Sequence, residues 1–353
     1  MPHPHQQELG VAVVGLGNWG TNLVRVFGSL PRARLVALCD TDPTRLAAHA
    51  IHPHSPALVA DLEDVLDDVS VQAVVIATPP ASHAALASRA LSSGRNVFVE
   101  KPMATSVGDA LDLARTVART GLQLMVGHVL EYHPAFEALV ALLRSGELGE
   151  IRHVSCERRG RGASRHGTPW WSLAPHDLSL VRVLFGSEPT DFRVAPREPA
   201  ATGAVTANLR FSAQQTARVE VSATDAERAR RVTVVGTRSV AVFDDLRPVD
   251  KLRVHFLKRG NGASRTDPAE LAQPRALAEL DCRVVPFEPA EPLGREAQHF
   301  VEAVLDDQPV RTGAATGLAV VEMLEAGQQQ LGAALRAPPP ATWDPEPQAP
   351  PAT

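Results

Sequence analysis

Several absences narrow the chain before any motif is read. Its 353 residues contain three cysteines, Cys39, Cys156 and Cys282, far apart and odd in number. With no CxxC pair, they argue for reduced thiols and against a disulfide framework. No apolar run approaches the roughly 18 residues that a transmembrane helix requires. The opening MPHPHQQE lacks both the basic and the apolar region of a secretory signal. An excess of positive charge is missing too: the net charge is −5, which argues against nucleic acid or an anionic membrane as the main partner. No nucleophile elbow, P-loop lysine or zinc motif occurs. His49, His52 and His54 cluster in HAIHPH, but no cysteine or carboxylate set completes a metal site around them. The expectation is a soluble, cytoplasmic protein without a metal.

What is present is a regular alternation. Apolar runs at 9–15, 33–40, 71–78, 95–100 and 122–127 read as strands. Helical patterns at Asn18–Leu30, Pro43–Ala50, Asp61–Leu66, Ser82–Leu91 and Ser106–Arg119 separate them. Ser106 with Asp109 three residues on resembles a capping box. Strands buried on both faces and alternating with helices predict a doubly wound parallel sheet of Rossmann type over residues 1–128. After helical stretches at Pro134–Ser145 and Pro175–Phe185, strand-like segments follow one another at 189–195, 203–211, 215–222, 231–236 and 239–244. That run predicts an α+β second domain over 129–336, built on a large, mostly antiparallel open sheet and closed by helices at Glu296–Leu305 and Gly317–Leu335. Residues 258–280 read as a long loop with a helical turn, and the Pro-rich 337–353 as a disordered tail or an arm on a neighbouring subunit.

VVGLGNWG places Gly15, Gly17 and Gly20, with Asn18 and Trp19 between them, at a strand-to-helix junction. There glycines permit a tight turn, close approach of a pyrophosphate and close helix–strand packing, and the helix N-terminus offers free N–H groups. The second strand ends on Asp40, twenty residues past Gly20 and followed by Thr41. A carboxylate there accepts ribose hydroxyls and repels a 2′-phosphate, so the predicted cofactor is NAD. Thr78, Pro79 and His83 of ATPPASH follow the third strand, where they read equally as a rigid turn with a helix start and as a cofactor-facing wall at the crevice of such sheets.

A fourth buried strand stops abruptly on Glu100-Lys101-Pro102. The ordered set GLGNWG, ATPP, EKPMA, GHVLEYHPAF and APHDLSL resembles the Gfo/Idh/MocA family of nicotinamide-dependent oxidoreductases over about residues 9–335. Within it, GHVLEYHPAF, LLRSGELGEI and LAPHDLSL are similar to the branch that oxidises nucleotide sugars at C3, such as UDP-N-acetylglucosamine 3-dehydrogenases and their uronic-acid relatives. The resemblance implies that the Glu-Lys-Pro element lies at the nicotinamide ring with Lys101 facing the substrate. An ammonium there polarises a hydroxyl and stabilises the forming alkoxide, while Glu100 orients Lys101 or the cofactor. A cis Lys101–Pro102 bond would hold such a bend.

The hydroxyl proton needs an acceptor. Pro175 suits a first helical position, which would put His176 and Asp177 in a first turn where the helix dipole keeps His176 neutral. Asp177 would then hold His176 or a substrate hydroxyl. The resemblance assigns the acid–base role to His176 with Lys101. Many members carry Asp four residues before this histidine, where this chain has Ser172, so the family's lysine–aspartate–histidine triad is incomplete. His133 likewise stands where relatives carry Asn. CERRGRGASRHG concentrates Arg158, Arg159, Arg161 and Arg165 beside a cleft-lining strand. These arginines read equally as a phosphate or carboxylate site and as a solvated basic loop. Arg158, Arg159, Arg165, Trp171 and Asp177 are the candidate substrate contacts.

The expected activity is NAD-dependent oxidation of a secondary hydroxyl of a sugar, anionic and most simply C3 of a UDP-linked N-acetylhexosamine or its uronic acid, to a 3-keto sugar. The alternatives are an inositol, aminocyclitol or other sugar dehydrogenase, an eliminating glycosidase-like enzyme on the same fold, and a non-catalytic NAD-binding regulator. The family implies a homodimer or homotetramer.

Overall fold

The structure is a computed structural model describing residues 7–161, 168–197, 203–257 and 267–334. The first domain runs β1 (Leu9–Val14), α1 (Asn18–Phe27), β2 (Ala33–Cys39), α2 (Pro43–Ala47), β3 (Ala57–Val59) and α3 (Leu62–Asp67). It continues through β4 (Ala73–Ile76), α4 (Pro80–Ser92), β5 (Asn96–Glu100), α5 (Val107–Thr120) and β6 (Leu124–Gly127). The six strands are parallel in the order β3-β2-β1-β4-β5-β6. Strand order reverses between β1 and β4, so their carboxyl ends open a crevice there. The strands are Val- and Leu-rich because helices cover both faces. Ser106 caps α5 as the capping box required, accepting Asp109 N–H at 3.1 Å.

A 3₁₀ turn at Val129–Tyr132 and α6 (Pro134–Arg144) lead into the second domain. There follow β7 (Ile151–Arg161), α7 (Pro169–Phe185), β8 (Asp191–Pro196), β9 (Val205–Ser212), β10 (Gln215–Ser222) and β11 (Thr224–Gly236). Then come β12 (Ser239–Asp244), β13 (Leu252–Phe256), the single turns α8 (Pro268–Leu271) and α9 (Pro274–Leu277), and β14 (Cys282–Val284). This sheet has eight strands in the order β14-β13-β12-β11-β7-β10-β9-β8, antiparallel throughout except where β10 meets β7. Finally α10 (Pro292–Leu305) returns to the first domain and α11 (Ala314–Ala334) spans both.

Two contacts show how the returning helices hold the cleft walls together. Phe300 of α10 packs edge-on against Phe98 of β5 at 5.7 Å and Phe27 of α1 at 6.2 Å. Each such aromatic pair adds about 0.5–1.5 kcal/mol beyond area burial. Trp170 of α7, wholly buried, donates its indole N–H to the Leu324 carbonyl at 2.8 Å. It lies so close to α11 that a Cβ on Gly327 would come within 2.5 Å of its ring.

The expected fold class holds, with local corrections. Helix α7 starts at Pro169, six residues before Pro175, which lies inside the helix. Both prolines suit a first helical position, and burial of Trp170 decides for the earlier one. Strand β11 starts at Thr224 and not at 231, because its leading half, TDAERAR, alternates mostly charged residues at an exposed margin. Strands β3, β13 and β14 were not foreseen. They are three to five residues long and lie at or near sheet edges, where the hydrophobic signal is weakest. Within 258–280, residues 258–266 lie outside the described residues, as does the Pro-rich 337–353.

Candidate active site

Between the two domains lies a cleft of about 2110 Å³, lined by the glycine loop, the β2 and β4 ends, the Glu-Lys-Pro element, α7 and strands β7 and β11. At its first-domain end, the three glycines have separable roles. A Cβ on Gly15 would sit 2.8 Å from the Ala77 carbonyl carbon, and one on Gly20 would sit 1.8 Å from the Gly15 oxygen. Those two let the loop pack on itself and on β4. At Gly17 a Cβ would meet nothing within 4 Å, so this position opens to the cleft, where a pyrophosphate has room. The first α1 hydrogen bond beyond the loop is Thr21 N–H to the Gly17 oxygen, which leaves the N–H groups of Asn18 and Trp19 ahead of the helical ladder.

Asp40 is buried and accepts the N–H of Leu16 at 2.7 Å and of Asp42 at 2.9 Å, one on each oxygen, with Arg45 at 3.4 Å. A carboxylate has about four acceptor positions, so it retains capacity for ribose hydroxyls. Thr41, Thr78 and Pro79 line the same end. The residues present fit NAD.

His83 lines the cleft with Thr78 and Pro79, and it also joins two loops. Its ring is buried, with Nδ1 2.8 Å from the Pro102 oxygen and Nε2 2.8 Å from the Thr78 oxygen. It therefore staples the β4 loop to the Glu-Lys-Pro loop, and a neutral ring donates to only one of the two carbonyls. Burial holds its pKa below the usual imidazole value. Trp19 is likewise engaged within the protein, its indole N–H donating to Glu100. Glu100 also accepts the Lys101 N–H at 3.3 Å, and burial pushes its carboxyl up to about 7.

The Lys101–Pro102 bond is cis, and the Lys101 ammonium donates to the Ser172 carbonyl oxygen at 2.9 Å. Pro175, inside the helix, has no N–H for the Trp171 carbonyl, and the Lys101 ammonium goes to the next carbonyl along, that of Ser172. Ser172 thus takes part through its backbone, while its hydroxyl donates back to the Thr168 oxygen at 3.0 Å. His176 lines the cleft one turn further on, with Nδ1 sealed from solvent and unpartnered among the described residues. Its pKa lies well below the imidazole norm because of burial first, then the charges of Lys101 and Arg158. The neutral state expected of a base is therefore present, but the helix dipole is not its cause: His176 is in the eighth position of α7, too far from the N-terminus. Burial, and Arg158 more weakly, also lower the Lys101 pKa against the opposing pull of Glu100.

Asp177 departs from its expected role. It holds Arg158 through a two-pronged pair at 2.8 and 2.9 Å, both groups buried. Arg158 is therefore neutralised by the protein. Arg159 also lines the cleft, as does Arg161, but Arg159 is paired with Glu157 at 2.7 Å. Arg158 and Arg159 are strand residues, not loop residues, and Arg165 lies outside the described residues. Trp171 lines the cleft as expected. Cleft residues that sequence reasoning passed over are Arg228 and Arg230 of β11. The run ERARR at 227–231 was the available signal.

Neighbouring histidines resolve into structural parts. His133 caps α6 by accepting the Ala135 N–H at 3.1 Å, with Asp245 3.4 Å from its other nitrogen. His54 accepts the Leu35 N–H at 3.0 Å. His128 is buried without a hydrogen-bond partner among the described residues, and burial followed by the Lys101 charge drives its pKa down to about 3. Among the described residues no group of three or more His, Cys, Asp or Glu could hold a metal, and no helix is long and apolar enough to cross a membrane.

A glycine-loop Rossmann domain facing a lysine and a neutral histidine across one cleft defines a nicotinamide-dependent oxidoreductase architecture. The chain belongs to the Gfo/Idh/MocA oxidoreductase family. The model "Oxidoreductase family, NAD-binding Rossmann fold" matches residues 9–128 and "GFO/IDH/MocA C-terminal domain" matches 136–242. An oxidoreductase from Magnetospirillum magnetotacticum is 30% identical with a TM-score of 0.76, over 91% of this chain and 99% of that one. UDP-N-acetylglucosamine 3-dehydrogenase GnnA from Acidithiobacillus ferrooxidans shares the fold at TM-score 0.78 and 22% identity, over 93% of this chain and 99% of that one. Inositol 2-dehydrogenase 1 of Saccharopolyspora erythraea is 34% identical over 50% of this chain and 55% of its own length. The chain thus spans about half the length of the first curated relatives it matches.

Proposed function

We infer that the protein oxidises a secondary hydroxyl of a sugar with NAD, the first choice being C3 of a UDP-linked N-acetylhexosamine or its uronic acid. The observation that carries the reading is the fixing of Lys101 on the Ser172 carbonyl, one turn ahead of a neutral His176, in the cleft that the glycine loop opens onto. His176 takes the hydroxyl proton and Lys101 stabilises the alkoxide as it forms. NAD, when bound, supplies the hydride acceptor. The buried Asp177–Arg158 pair lies beneath this end of the cleft, and burial keeps His176 neutral and able to accept the proton. GnnA shares the fold and supports the nucleotide-sugar choice. The identity to an inositol dehydrogenase favours a second reading, oxidation of an inositol or related polyol. Association into a homodimer or homotetramer, through the open face of the second sheet, belongs to the same proposal.

The test is absorbance of NADH with purified protein and NAD across UDP-N-acetylhexosamines, their uronic acids, inositols and free sugars, with and without a keto-acid acceptor for tightly held NADH. A signal confined to UDP-sugars is expected. A signal only with inositols replaces the substrate class while keeping the chemistry. Silence throughout rejects the dehydrogenase reading and favours an eliminating glycosidase or a regulator.

A further inference from the structure

Strands β7 and β11 are antiparallel neighbours whose register sets Arg158 directly opposite Arg230. Two guanidinium groups so placed repel unless something neutralises them. Arg158 has Asp177. Arg230 has no such partner: neither its guanidinium nor that of Arg228, two residues earlier on β11, forms a hydrogen bond or ion pair with any described residue, and both side chains line the cleft. The carboxylates that attract Arg230 at longer range, Asp245 and Asp177, are engaged elsewhere. Asp245 is held by Lys251 at 3.0 Å with His133 at 3.4 Å, and Asp177 by Arg158.

Local backbone structure aims these side chains. The β7–β11 ladder is interrupted between Thr224 and Ala229, so Arg228 sits at a bulge, where a strand commonly redirects a side chain. Gly160 of β7 makes room beneath it, since a Cβ there would come within 3.1 Å of Arg228 Cγ. Partial burial and the Arg158 charge lower the Arg230 pKa, and His176 in turn feels the Arg230 charge. A group bound at Arg230 therefore lies close to the proton-accepting end of the cleft. On a chain of net charge −5, two unpaired arginine forks in one cleft wall match an oxyanion in geometry and charge.

We propose that Arg228 and Arg230 form the subsite for an oxyanion of the substrate itself, phosphate or carboxylate, and so select charged sugars over neutral ones. The proposal rests on reading the cleft as a sugar dehydrogenase site. It sets aside Arg158 and Arg159, which Asp177 and Glu157 already hold, in favour of two cleft arginines whose side chains the fold leaves available.

The experiment compares the wild type with Arg228→Gln, Arg230→Gln and Arg230→Lys, each checked for folding by thermal unfolding and for NAD binding by fluorescence quenching. Kinetics with UDP-N-acetylglucosamine, its uronic acid, free glucuronate and myo-inositol separate diphosphate from carboxylate. In parallel, calorimetry measures UDP and glucuronate binding to the NAD-loaded protein. Either Gln variant is expected to raise KM for the charged substrate about ten- to hundredfold, more than for inositol, with Arg230→Lys in between. The same loss should appear in binding of whichever probe shares the recognised group. Unchanged KM and unchanged probe binding in both Gln variants overturn the subsite while leaving the dehydrogenase reading intact. If no sugar is oxidised, that reading fails by itself, and the calorimetric comparison still decides the subsite. Failure of the wild type to bind either probe, or turnover of inositol alone, also overturns it.

Discussion

The Lys101 ammonium is tied to the carbonyl oxygen of Ser172 at 2.9 Å, across 71 residues of sequence and from one domain to the other. That bond joins the Glu-Lys-Pro element to the first turn of α7. It places the ammonium at the helix that carries His176. In the proposed reaction the bond must loosen or share its donor with the substrate oxygen, and the two remaining N–H donors of Lys101 allow sharing.

Removing that donor should abolish turnover without emptying the cofactor site. Lys101→Met is expected to lower kcat about 10²–10³-fold, the usual cost of deleting one donor to a developing oxyanion. NAD affinity, read by fluorescence quenching, should change little, because the Lys101 ammonium hydrogen-bonds to Ser172 and to neither the glycine loop nor Asp40. Loss of NAD binding in parallel with kcat would assign Lys101 to the cofactor instead.

His176 makes a pH-dependent prediction. Burial and neighbouring cations place its pKa well below 6.5, so it remains neutral and able to accept a proton on the acid side of neutrality. The acid limb of kcat/KM should therefore fall below pH 6.5. The alkaline limb should fall below the ordinary lysine value of 10.5, where Lys101, its pKa lowered by burial, loses its proton. His176→Asn should reduce kcat about 10²–10⁴-fold and remove the acid limb. An acid limb that survives in this variant would point to another base.

Asp177→Asn tests the buried pair. Arg158 would keep its charge with no counter-charge in a dry site, at a cost of about 3–5 kcal/mol. Chemical denaturation should show that loss as a lower midpoint. A midpoint equal to wild type would mean that solvent already reaches Arg158.

Glu296 of α10 is wholly buried, and neither carboxylate oxygen has a hydrogen-bond partner among the described residues. Burial, then the nearby Glu100 and Glu131, raises its pKa well above 4.5. The folded state therefore binds a proton that the unfolded state releases above about pH 4.5, and stability drains away as pH rises toward the folded pKa. Glu296→Gln should raise Tm more at pH 8 than at pH 5. An equal rise at both would show that the carboxyl is already ionised at pH 5.

Much of this was legible in the primary structure. The parallel sheet announced itself through fully buried Val/Leu runs such as AVVI and NVFVE, because strands covered on both faces need no polar alternation. Gly15, Gly17, Gly20, Asp40 and Lys101 were readable because backbone approach and strand-end chemistry demand those residue types at that spacing. Long-range pairing left no such trace. Nothing local distinguishes Arg158 from Arg230. Register alone sets them opposite each other, and the α7 packing alone gives Asp177 to the first. Trp170 settled the start of α7 by burying itself against Gly327, overriding the helix-start signal at Pro175. His176 is neutral because the protein packed around its ring, and then Lys101 and Arg158, disfavour its charge, an effect of neighbours in space that no window of sequence contains. The chain's order of residues determined its fold class and its NAD-binding domain, and it pointed to Lys101 and His176 as candidate groups. Only tertiary packing decided which charges are already paired and which remain available to a substrate, because a charge's availability depends on what lies beside it in space.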